Sequence, residues 1–245
     1  PEIVEFIKIS KSKNIYTYLD INGNKMNDRL IEDIVESGLD SLKFSLDAHT
    51  QEIYKQIRRG GNFDVVFENL KKVSQLRNQK GSKMRLSALY IIMNKNEQYI
   101  EQFKEKIEPY VDEIQFSIVH NLGNQFKGHT QFVSKMFDYI VDINKTLKPC
   151  PNPWKRIVIS WDGFLTVCCI DFDLKLVYGK YEKGRLKEIW NNDKIKEFRN
   201  KMRDLNLSDV PLCRQCSDIA LDTINISVML NDILNKKNVK LADFS

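Results

Sequence analysis

The placement of the cysteines constrains this chain more than any other feature. All five cysteines follow residue 149. Cys213 and Cys216 form a C-x-x-C turn, which directs two thiolates to one side. Cys150 and Cys168 lie on either side of a glycine turn. An oxidised secreted domain distributes cysteine pairs along its fold, so this clustering predicts a local metal site in a reducing, cytoplasmic compartment. Four soft thiolates suit Zn²⁺ or an iron–sulfur cluster.

The remaining cysteine, Cys169, adjoins Cys168. Consecutive side chains on a strand point to opposite faces, so adjacent cysteines rarely bind one metal together. We therefore expect Cys169 to be a small buried apolar side chain, while the sequence leaves open which of the two is the ligand. The predicted metal ligands are Cys150, Cys168, Cys213 and Cys216.

The other polar residues disfavour several kinds of site. His49, His120 and His129 are isolated along the chain, which gives little support to a histidine-rich zinc site or a Cys–His pair. The net charge is +5, but lysines are interspersed with acidic residues, and this pattern is typical of a solvated surface. No apolar stretch is long enough for a membrane span and no secretion leader is evident. We therefore expect neither a membrane nor a nucleic-acid partner.

Residues 1–120 alternate between helical and strand patterns. Asn27 is suited to cap a helix of apolar residues at helical spacing, and Gly38 to end it. Four strands separated by helices predict an α/β fold with a parallel sheet of right-handed βα units. The predicted strands are 14–20, 41–46, 84–93 and 113–119; the predicted helices are one that starts at Pro1, one that starts after Asn27, and 49–58, 62–79 and 96–108.

The chain begins with a helix that has no strand before it. A parallel sheet that starts midway leaves an unpaired edge, which proteins normally avoid. Two interpretations stay open at this point. One is a small open α/β sheet that simply begins with a helix, and the other is a barrel whose first one or two βα units precede Pro1.

The second half of the chain has shorter patterns. We predict a bridging segment at 121–149, which includes an amphipathic helix at about 132–143, and then a cysteine-rich domain at 150–245. Asp162-Gly163 is a strong turn signal and predicts a hairpin of strands 155–161 and 164–170. Further helices are predicted at about 186–203 and 218–235.

The cysteine spacing, with a glycine before the second cysteine and a C-x-x-C at the end, resembles the C-terminal SPASM domain of radical S-adenosylmethionine (radical SAM) enzymes. Gly179, the segment that ends in Trp190 and the Phe198-Arg199 pair extend the resemblance. It implies an auxiliary [4Fe-4S] cluster on the four predicted ligands. Because no cysteine follows Cys216, it implies one fully coordinated auxiliary cluster that serves electron transfer or shapes the active site.

Residues 1–120 resemble the later part of a radical SAM core, a partial (β/α)6 barrel. Asn22-Gly23 is similar to the family's turn after its third strand, and Ser45-x-Asp47 is similar to the end of its fourth. The resemblance implies that Asn22, Ser45 and Asp47 lie near bound S-adenosylmethionine. It also implies that Arg58 pairs with the carboxylate of that cofactor. The implied fold is α/β: later βα units of a partial barrel, followed by a small α+β SPASM-like domain.

The family's C-x-x-x-C-x-x-C loop, which holds a second, radical-forming [4Fe-4S] cluster, does not occur in this sequence. The resemblance places that loop before Pro1, and we expect this chain alone to be inactive. The complete enzyme is expected to generate a 5′-deoxyadenosyl radical that abstracts hydrogen from a peptide or small-molecule substrate. An electron donor such as a flavodoxin or ferredoxin is implied as its partner.

Two non-enzymatic hypotheses compete with this interpretation. The first is a zinc-stabilised binding module on an α/β scaffold, because structural zinc contributes on the order of 10 kcal/mol to folding. The second is a nucleic-acid-binding zinc ribbon, which would need clustered basic residues with exposed aromatic ones, and the sequence lacks that pattern. The βα pattern of the first 120 residues favours the enzyme.

Overall fold

The computed structural model describes residues 2–123, 125, 131–132, 148–216 and 231, which belong to two separate folded units. The first unit contains residues up to Val119 together with Phe132 and Asn231. The second unit contains the described residues from His120 to Gln131 and from 148 to 216. Within the described ranges, none of the helices has the length and apolarity of a membrane span.

The first unit is a four-stranded parallel sheet in the order β1-β2-β3-β4. This arrangement confirms the predicted α/β class and the four predicted parallel strands. The strands are β1 Tyr18–Ile21, β2 Ser41–Ser45, β3 Arg85–Ile92 and β4 Glu113–Ile118. The helices are α1 Glu2–Ser12, α2 Asp28–Glu36, α3 Gln51–Ile57, α4 Phe63–Gln79 and α5 Ile100–Ile107, with 3-10 turns at Glu97–Tyr99 and Glu108–Tyr110.

Capping side chains determine where these helices begin. The Asn27 side chain accepts a hydrogen bond from the Leu30 amide at 2.8 Å, as the sequence predicted. Strand β1 begins four residues later than predicted, because α1 continues to Ser12 and the following Asn14 adopts a left-handed backbone with φ 56°. A residue in that conformation ends a helix and cannot continue into a strand.

The core of the first unit consists of large apolar side chains from the sheet and its helices. Phe44, Leu86 and Tyr90 project from β2 and β3, and Phe103 projects from α5; none of them is exposed to solvent. Full burial of one such side chain stabilises the fold by about 1.5–3 kcal/mol. The sheet is therefore a rigid base for the residues that follow the carboxyl ends of its strands.

The described part of the second unit contains an antiparallel sheet of three short strands, in the order β5-β6-β7, and four helices. The strands are β5 Val158–Ile159, β6 Phe164–Thr166 and β7 Val177–Lys180; the helices are α6 Asn152–Lys155, α7 Leu186–Ile189, α8 Asp193–Arg203 and α9 Pro211–Arg214. The predicted hairpin is present but shorter than expected, and β7 was not predicted. The helices predicted at 132–143 and 218–235 lie outside the described residues, apart from Phe132 and Asn231.

The single helix predicted at 186–203 is divided into α7 and α8. Asn192 accounts for the break, because its side-chain oxygen caps α8 by accepting the Ile195 amide hydrogen at 3.1 Å. Its side-chain nitrogen donates to the Tyr178 carbonyl of β7 at 2.7 Å. The chain approaches β7 closely here, since a Cβ on Gly179 would lie 2.5 Å from a methyl group of Ile189. Glycine is therefore required at this position.

Candidate functional site

Four of the five cysteines line one cavity in the second unit. They are the four predicted ligands, Cys150, Cys168, Cys213 and Cys216. The structure therefore brings together residues from three separate parts of the chain. None of the other described residues that line the cavity is charged; they are Asn152, Pro153, Val167, Ile170, Phe198, Met202 and Leu212.

The short helix α9 carries Cys213, and Cys216 follows two residues after its end. Pro211 occupies the first turn, where its missing amide hydrogen is not needed, and the amide of Cys216 donates to the carbonyl of Cys213 at 3.1 Å. Both cysteines are buried. They pack in one apolar cluster with Met202 and Val210, so the protein core itself fixes the positions of the two sulfurs.

The other two cysteines are positioned by individual hydrogen bonds. The amide of Cys150 donates to the Met202 sulfur at 3.3 Å. The carbonyl of Cys168 accepts the amide hydrogen of Asp171 at 3.2 Å. The buried Asp171 carboxylate in turn accepts the Thr166 hydroxyl and the amide of Leu176 at 2.9 Å. These hydrogen bonds connect the loop after β6, which carries Cys168, to Thr166 at the end of β6, and so they fix the position of that loop.

The expectation that Cys169 is a buried apolar side chain is wrong. Cys169 is exposed, whereas Cys168 is half-buried and lines the cavity. The physical reason is that β6 ends at Thr166, so the two cysteines lie in the loop that follows and not on a strand. Alternation of faces therefore does not apply to them. The structure leaves Cys168 as the member of the pair that faces the other thiols.

Burial of the thiols disfavours their charged form. It raises the pKa of Cys213 to about 12, with the nearby Cys216 and Cys150 acting in the same direction. A hydrogen bond with Cys169, together with burial, raises the pKa of Cys168. Such thiols lose their protons when a metal coordinates them, because the cation reverses the local electrostatics. The four cysteines in an apolar cavity therefore fit a soft cationic centre such as an iron–sulfur cluster. Among the described residues, no three His, Cys, Asp or Glu side chains form a ready-made site for a single metal ion.

From the sequence, a Cys–His pair had little support, and the structure corrects that expectation. The Nε2 atom of His120 lies 3.9 Å from the sulfur of Cys216. The two residues are 96 positions apart, and neither belongs to a motif that includes the other. Only the fold of the second unit brings them together, so no local sequence signal predicted this contact.

A second cluster of polar residues lies in the first unit, beyond the carboxyl ends of β2 and β3. Asp47 is buried and adopts a positive φ of 61°. Two guanidinium nitrogens of Arg58 donate to one oxygen of its carboxylate, the Nε at 2.9 Å. The amide of Ile91 donates to the other oxygen at 2.7 Å. Burial raises the pKa of Asp47, while Arg58 and the Ile91 amide act in the opposite direction.

Asn96 completes this cluster and was not identified from the sequence. It is fully buried, and its side-chain nitrogen donates to the carbonyl oxygens of Asp47 and Ile91, each at 2.9 Å. Its side-chain oxygen accepts the amide hydrogen of Met93 at 2.7 Å. The Tyr90 hydroxyl donates to its carbonyl at 2.8 Å. Every hydrogen-bonding group of the side chain is engaged, so Asn96 connects the ends of β2 and β3.

A cleft of about 500 Å³ lies beside this cluster in the first unit. Asn22 and Arg58 line it together, as do Tyr54 and the basic side chains Lys25 and Arg59. Of the four predicted cofactor-binding residues, the structure thus places these two at the cleft. Asp47 is not among the described residues that line the cleft, and it is connected to the cleft through its ion pair with Arg58. Ser45, the last residue of β2, is not among the described residues that line it.

Comparison with protein families agrees with this division of the molecule. Residues 1–107 match the family model of the radical SAM superfamily. Residues 150–217 match the SPASM family, described as an iron–sulfur cluster-binding domain. The second match spans all four cysteines that line the cavity.

A curated relative is the S-adenosyl-L-methionine-dependent 2-deoxy-scyllo-inosamine dehydrogenase of Niallia circulans. It is 27% identical over 88 residues, which are 36% of this chain and 35% of that protein. The match therefore spans about a third of the relative's length.

Solved structures share the fold at low sequence identity. BtrN in complex with AdoMet and 2-DOIA has a TM-score of 0.53 at 16% identity, covering 90% of this chain and 68% of that one. SuiB of Streptococcus suis, bound to its precursor peptide SuiA, has a TM-score of 0.59 at 15% identity, covering 89% of this chain and 56% of that one. A parallel βα unit, a cysteine-lined unit and two matching family models lead to one assignment: the chain belongs to the radical SAM superfamily with a SPASM domain, whose cofactors are S-adenosylmethionine and iron–sulfur clusters.

Proposed function

We propose that this chain is part of a radical SAM enzyme whose auxiliary [4Fe-4S] cluster is bound by Cys150, Cys168, Cys213 and Cys216. The observation that carries the proposal is the apolar cavity lined by these four cysteines. When bound, S-adenosylmethionine and a reduced iron–sulfur cluster would supply a 5′-deoxyadenosyl radical for hydrogen abstraction from the substrate.

The chain's own residues position the thiolates and exclude water. Phe198, Met202 and Leu212 line the cavity and keep its dielectric low, which strengthens electrostatic interactions with bound charge. Four thiolates would satisfy a cubane cluster, and the site would then offer no open iron to the substrate. This arrangement favours a role in electron transfer over direct substrate binding.

Asn22 and Arg58 are the residues proposed to bind S-adenosylmethionine in the cleft of the first unit. Their proximity in one cleft supports this role. Asp47 holds Arg58 in place through two hydrogen bonds, so little side-chain entropy is lost when the guanidinium meets a carboxylate. Asp47 then acts as a positioning residue. Ser45 remains a proposed neighbour of the cofactor by family resemblance alone.

The proposed substrate is a peptide or a small molecule, and both classes have support among the similar proteins. SuiB was solved with its precursor peptide, whereas the Niallia circulans relative is named for its action on 2-deoxy-scyllo-inosamine. A flavodoxin or ferredoxin is the proposed electron donor. We further propose that the enzyme works in the cytoplasm, because an oxygen-sensitive cluster on free thiols needs a reducing compartment.

Metal analysis of the chain purified without oxygen tests the proposed cluster. We expect about four irons and four sulfides per chain, the content of one cubane cluster. Alanine at Cys150, Cys168, Cys213 or Cys216 should abolish this content, because each removes one of four ligands. Cys169→Ala is the matched control and should retain it, since Cys169 is exposed.

Two results would contradict the proposal. About one zinc without sulfide would instead support the zinc-stabilised binding module. Loss of iron in Cys169→Ala, with retention in Cys168→Ala, would show that the ligand has been assigned to the wrong member of the pair.

A further inference from the structure

The described residues at 120–123 and 125 form a segment that lies against two of the loops that carry proposed ligands, within the second unit. The Asn121 side chain donates to the carbonyl of Gln215, one residue before Cys216. The Gln125 side chain donates to the carbonyl of Ile170 at 2.6 Å. Two side-chain amides thus fasten this segment to the C-x-x-C turn and to the loop after Cys168.

Gly123 brings this segment closer to the cysteines than any other residue would allow. It has a φ of 64°, and a Cβ at this position would lie 2.6 Å from the carbonyl oxygen of Leu212. Leu212 precedes Cys213 and also lines the cysteine cavity. The backbone therefore approaches the helix that carries Cys213 at a distance that a side chain would block.

The orientation of the His120 ring is determined by its neighbours. The amide of Leu122 donates to the Nδ1 atom at 2.7 Å, so Nδ1 is the acceptor and carries no proton. In a neutral imidazole the other nitrogen then carries the hydrogen. That nitrogen is Nε2, which lies 3.9 Å from the sulfur of Cys216. The ring therefore presents an N–H group to this sulfur.

We propose that His120 donates an N–H···S hydrogen bond to the Cys216 thiolate and thereby raises the reduction potential of the auxiliary cluster. This inference rests on the proposed function, because it requires a cluster on Cys216. A reduced cluster carries one more negative charge than an oxidised one, and a hydrogen bond to a ligand sulfur stabilises that charge. His120 is thus a positioning residue for the electron-transfer site and makes no bond to iron.

The same geometry disfavours His120 as a metal ligand. A histidine that coordinates through Nε2 ordinarily keeps its proton on Nδ1 and donates it to a neighbour. Here Nδ1 accepts a hydrogen bond from Leu122, so coordination through Nε2 would require a ring that has lost both protons. The donor role requires only the neutral tautomer that the Leu122 amide selects.

The test is a redox titration of the reconstituted cluster, followed by electron paramagnetic resonance, in wild type and His120→Leu. We expect the equilibrium constant for reduction to fall about tenfold in the variant, which is a shift of about 59 mV to lower potential for one electron. Iron and sulfide contents should equal those of wild type. His120→Gln keeps a donor and an acceptor and should recover part of the shift.

Asn121→Ala is the matched control, because it releases the segment from Gln215 but retains the imidazole. Its potential should be close to wild type, and an equal shift in both variants would mean that loosening of the segment is the cause, which would overturn the inference. Loss of iron in His120→Leu would also overturn it, by making His120 a ligand. An unchanged potential with full iron content would refute the hydrogen bond yet leave the proposed cluster intact. Absence of a cluster in wild type would instead refute the proposed function.

A readout on the metal-free chain makes the inference independent of cluster assembly. Nitrogen-15 NMR of labelled histidine distinguishes the two neutral tautomers, and the signal of His120 is assigned by its loss in His120→Leu. We expect the Nε2–H tautomer, which the Leu122 amide selects. The Nδ1–H tautomer would overturn the inference.

Discussion

The two units of this protein are stabilised in different ways. The first has strands of four to eight residues and a core of fully buried aromatic and aliphatic side chains. The second has strands of two to four residues, and three of its four described helices are only four residues long. Its apolar clusters are small, and one of them includes Cys213 and Cys216. A unit with so little core needs a further cross-link, which the proposed cluster would supply.

Removal of the metal should therefore break the second unit and spare the first. We expect Cys213→Ala to lose the metal and to destabilise residues 148–216 by on the order of 10 kcal/mol, the usual contribution of a structural metal. Hydrogen–deuterium exchange measured on peptides should show lost protection there and unchanged protection in β2 and β3. Cys169→Ala is the control. Protection of 148–216 that survives the loss of metal would show that packing alone holds this unit.

The converse experiment destabilises the first unit by creating a cavity in its core. Phe44→Ala removes a ring that is fully buried, and we expect a loss of about 3–5 kcal/mol. All three tryptophans, Trp154, Trp161 and Trp190, belong to the second unit, so their fluorescence follows that unit alone. The denaturation midpoint from circular dichroism should fall, while the fluorescence midpoint and the iron content should not. Equal shifts in both midpoints would mean that the two units unfold together.

Substitutions in the Asp47–Arg58 ion pair of the first unit should have a smaller effect on the free energy of unfolding. Arg58→Ala leaves the buried Asp47 carboxylate without its cation, and we expect a loss of about 3 kcal/mol, in addition to weaker binding of S-adenosylmethionine in the complete enzyme. Asp47→Asn should lose less, about 1–2 kcal/mol, because an amide oxygen still accepts one hydrogen bond and asparagine tolerates positive φ. Urea denaturation followed by circular dichroism measures both. A larger loss in Asp47→Asn than in Arg58→Ala would contradict this account.

The smallest expected effect is a pH dependence of stability that is confined to the first unit. Hydrogen bonds from Lys11 and from the Thr17 amide lower the pKa of Asp40 below its usual 3.8. Asp40 therefore contributes stability above its unfolded-state pKa, and this contribution is lost as the pH falls through the lower folded-state pKa. Asp40→Asn should flatten the fall of the circular dichroism midpoint on acidification below about pH 4. An identical fall in both proteins would show that Asp40 contributes nothing.

Local sequence signals predicted most of the first unit. The strand predicted at 41–46 is Ser41–Ser45, and the helix predicted to follow Asn27 begins at Asp28. Apolar periodicity and capping act over a few residues, so one stretch of sequence suffices to identify them. The sequence also indicated which four cysteines lie together, because their spacing is itself the signal, while their role as metal ligands stays a prediction.

The features that escaped prediction depend on contacts between distant residues. Strand β7 exists because it pairs with β6, and the break between α7 and α8 depends on a bond from Asn192 to Tyr178. The contact of His120 with Cys216 and the bonds of Asn96 to Asp47 have the same character. Such contacts require the fold before they can be seen, and periodicity carries no information about them.

The hydrogen bonds of the buried Asn96 also bear on when the cleft of the first unit can form during synthesis. Its side chain joins the carbonyl of Asp47 to that of Ile91, so the edge of the sheet beside the cleft is closed by a residue that is synthesised 49 positions after Asp47. Closing a loop of this length costs chain entropy, so we expect this contact to form after the local helices between the two residues. During synthesis, the cleft of the first unit therefore cannot take its final form until the chain beyond β3 has left the ribosome. We therefore expect the cofactor proposed for this cleft to bind after translation has passed this point.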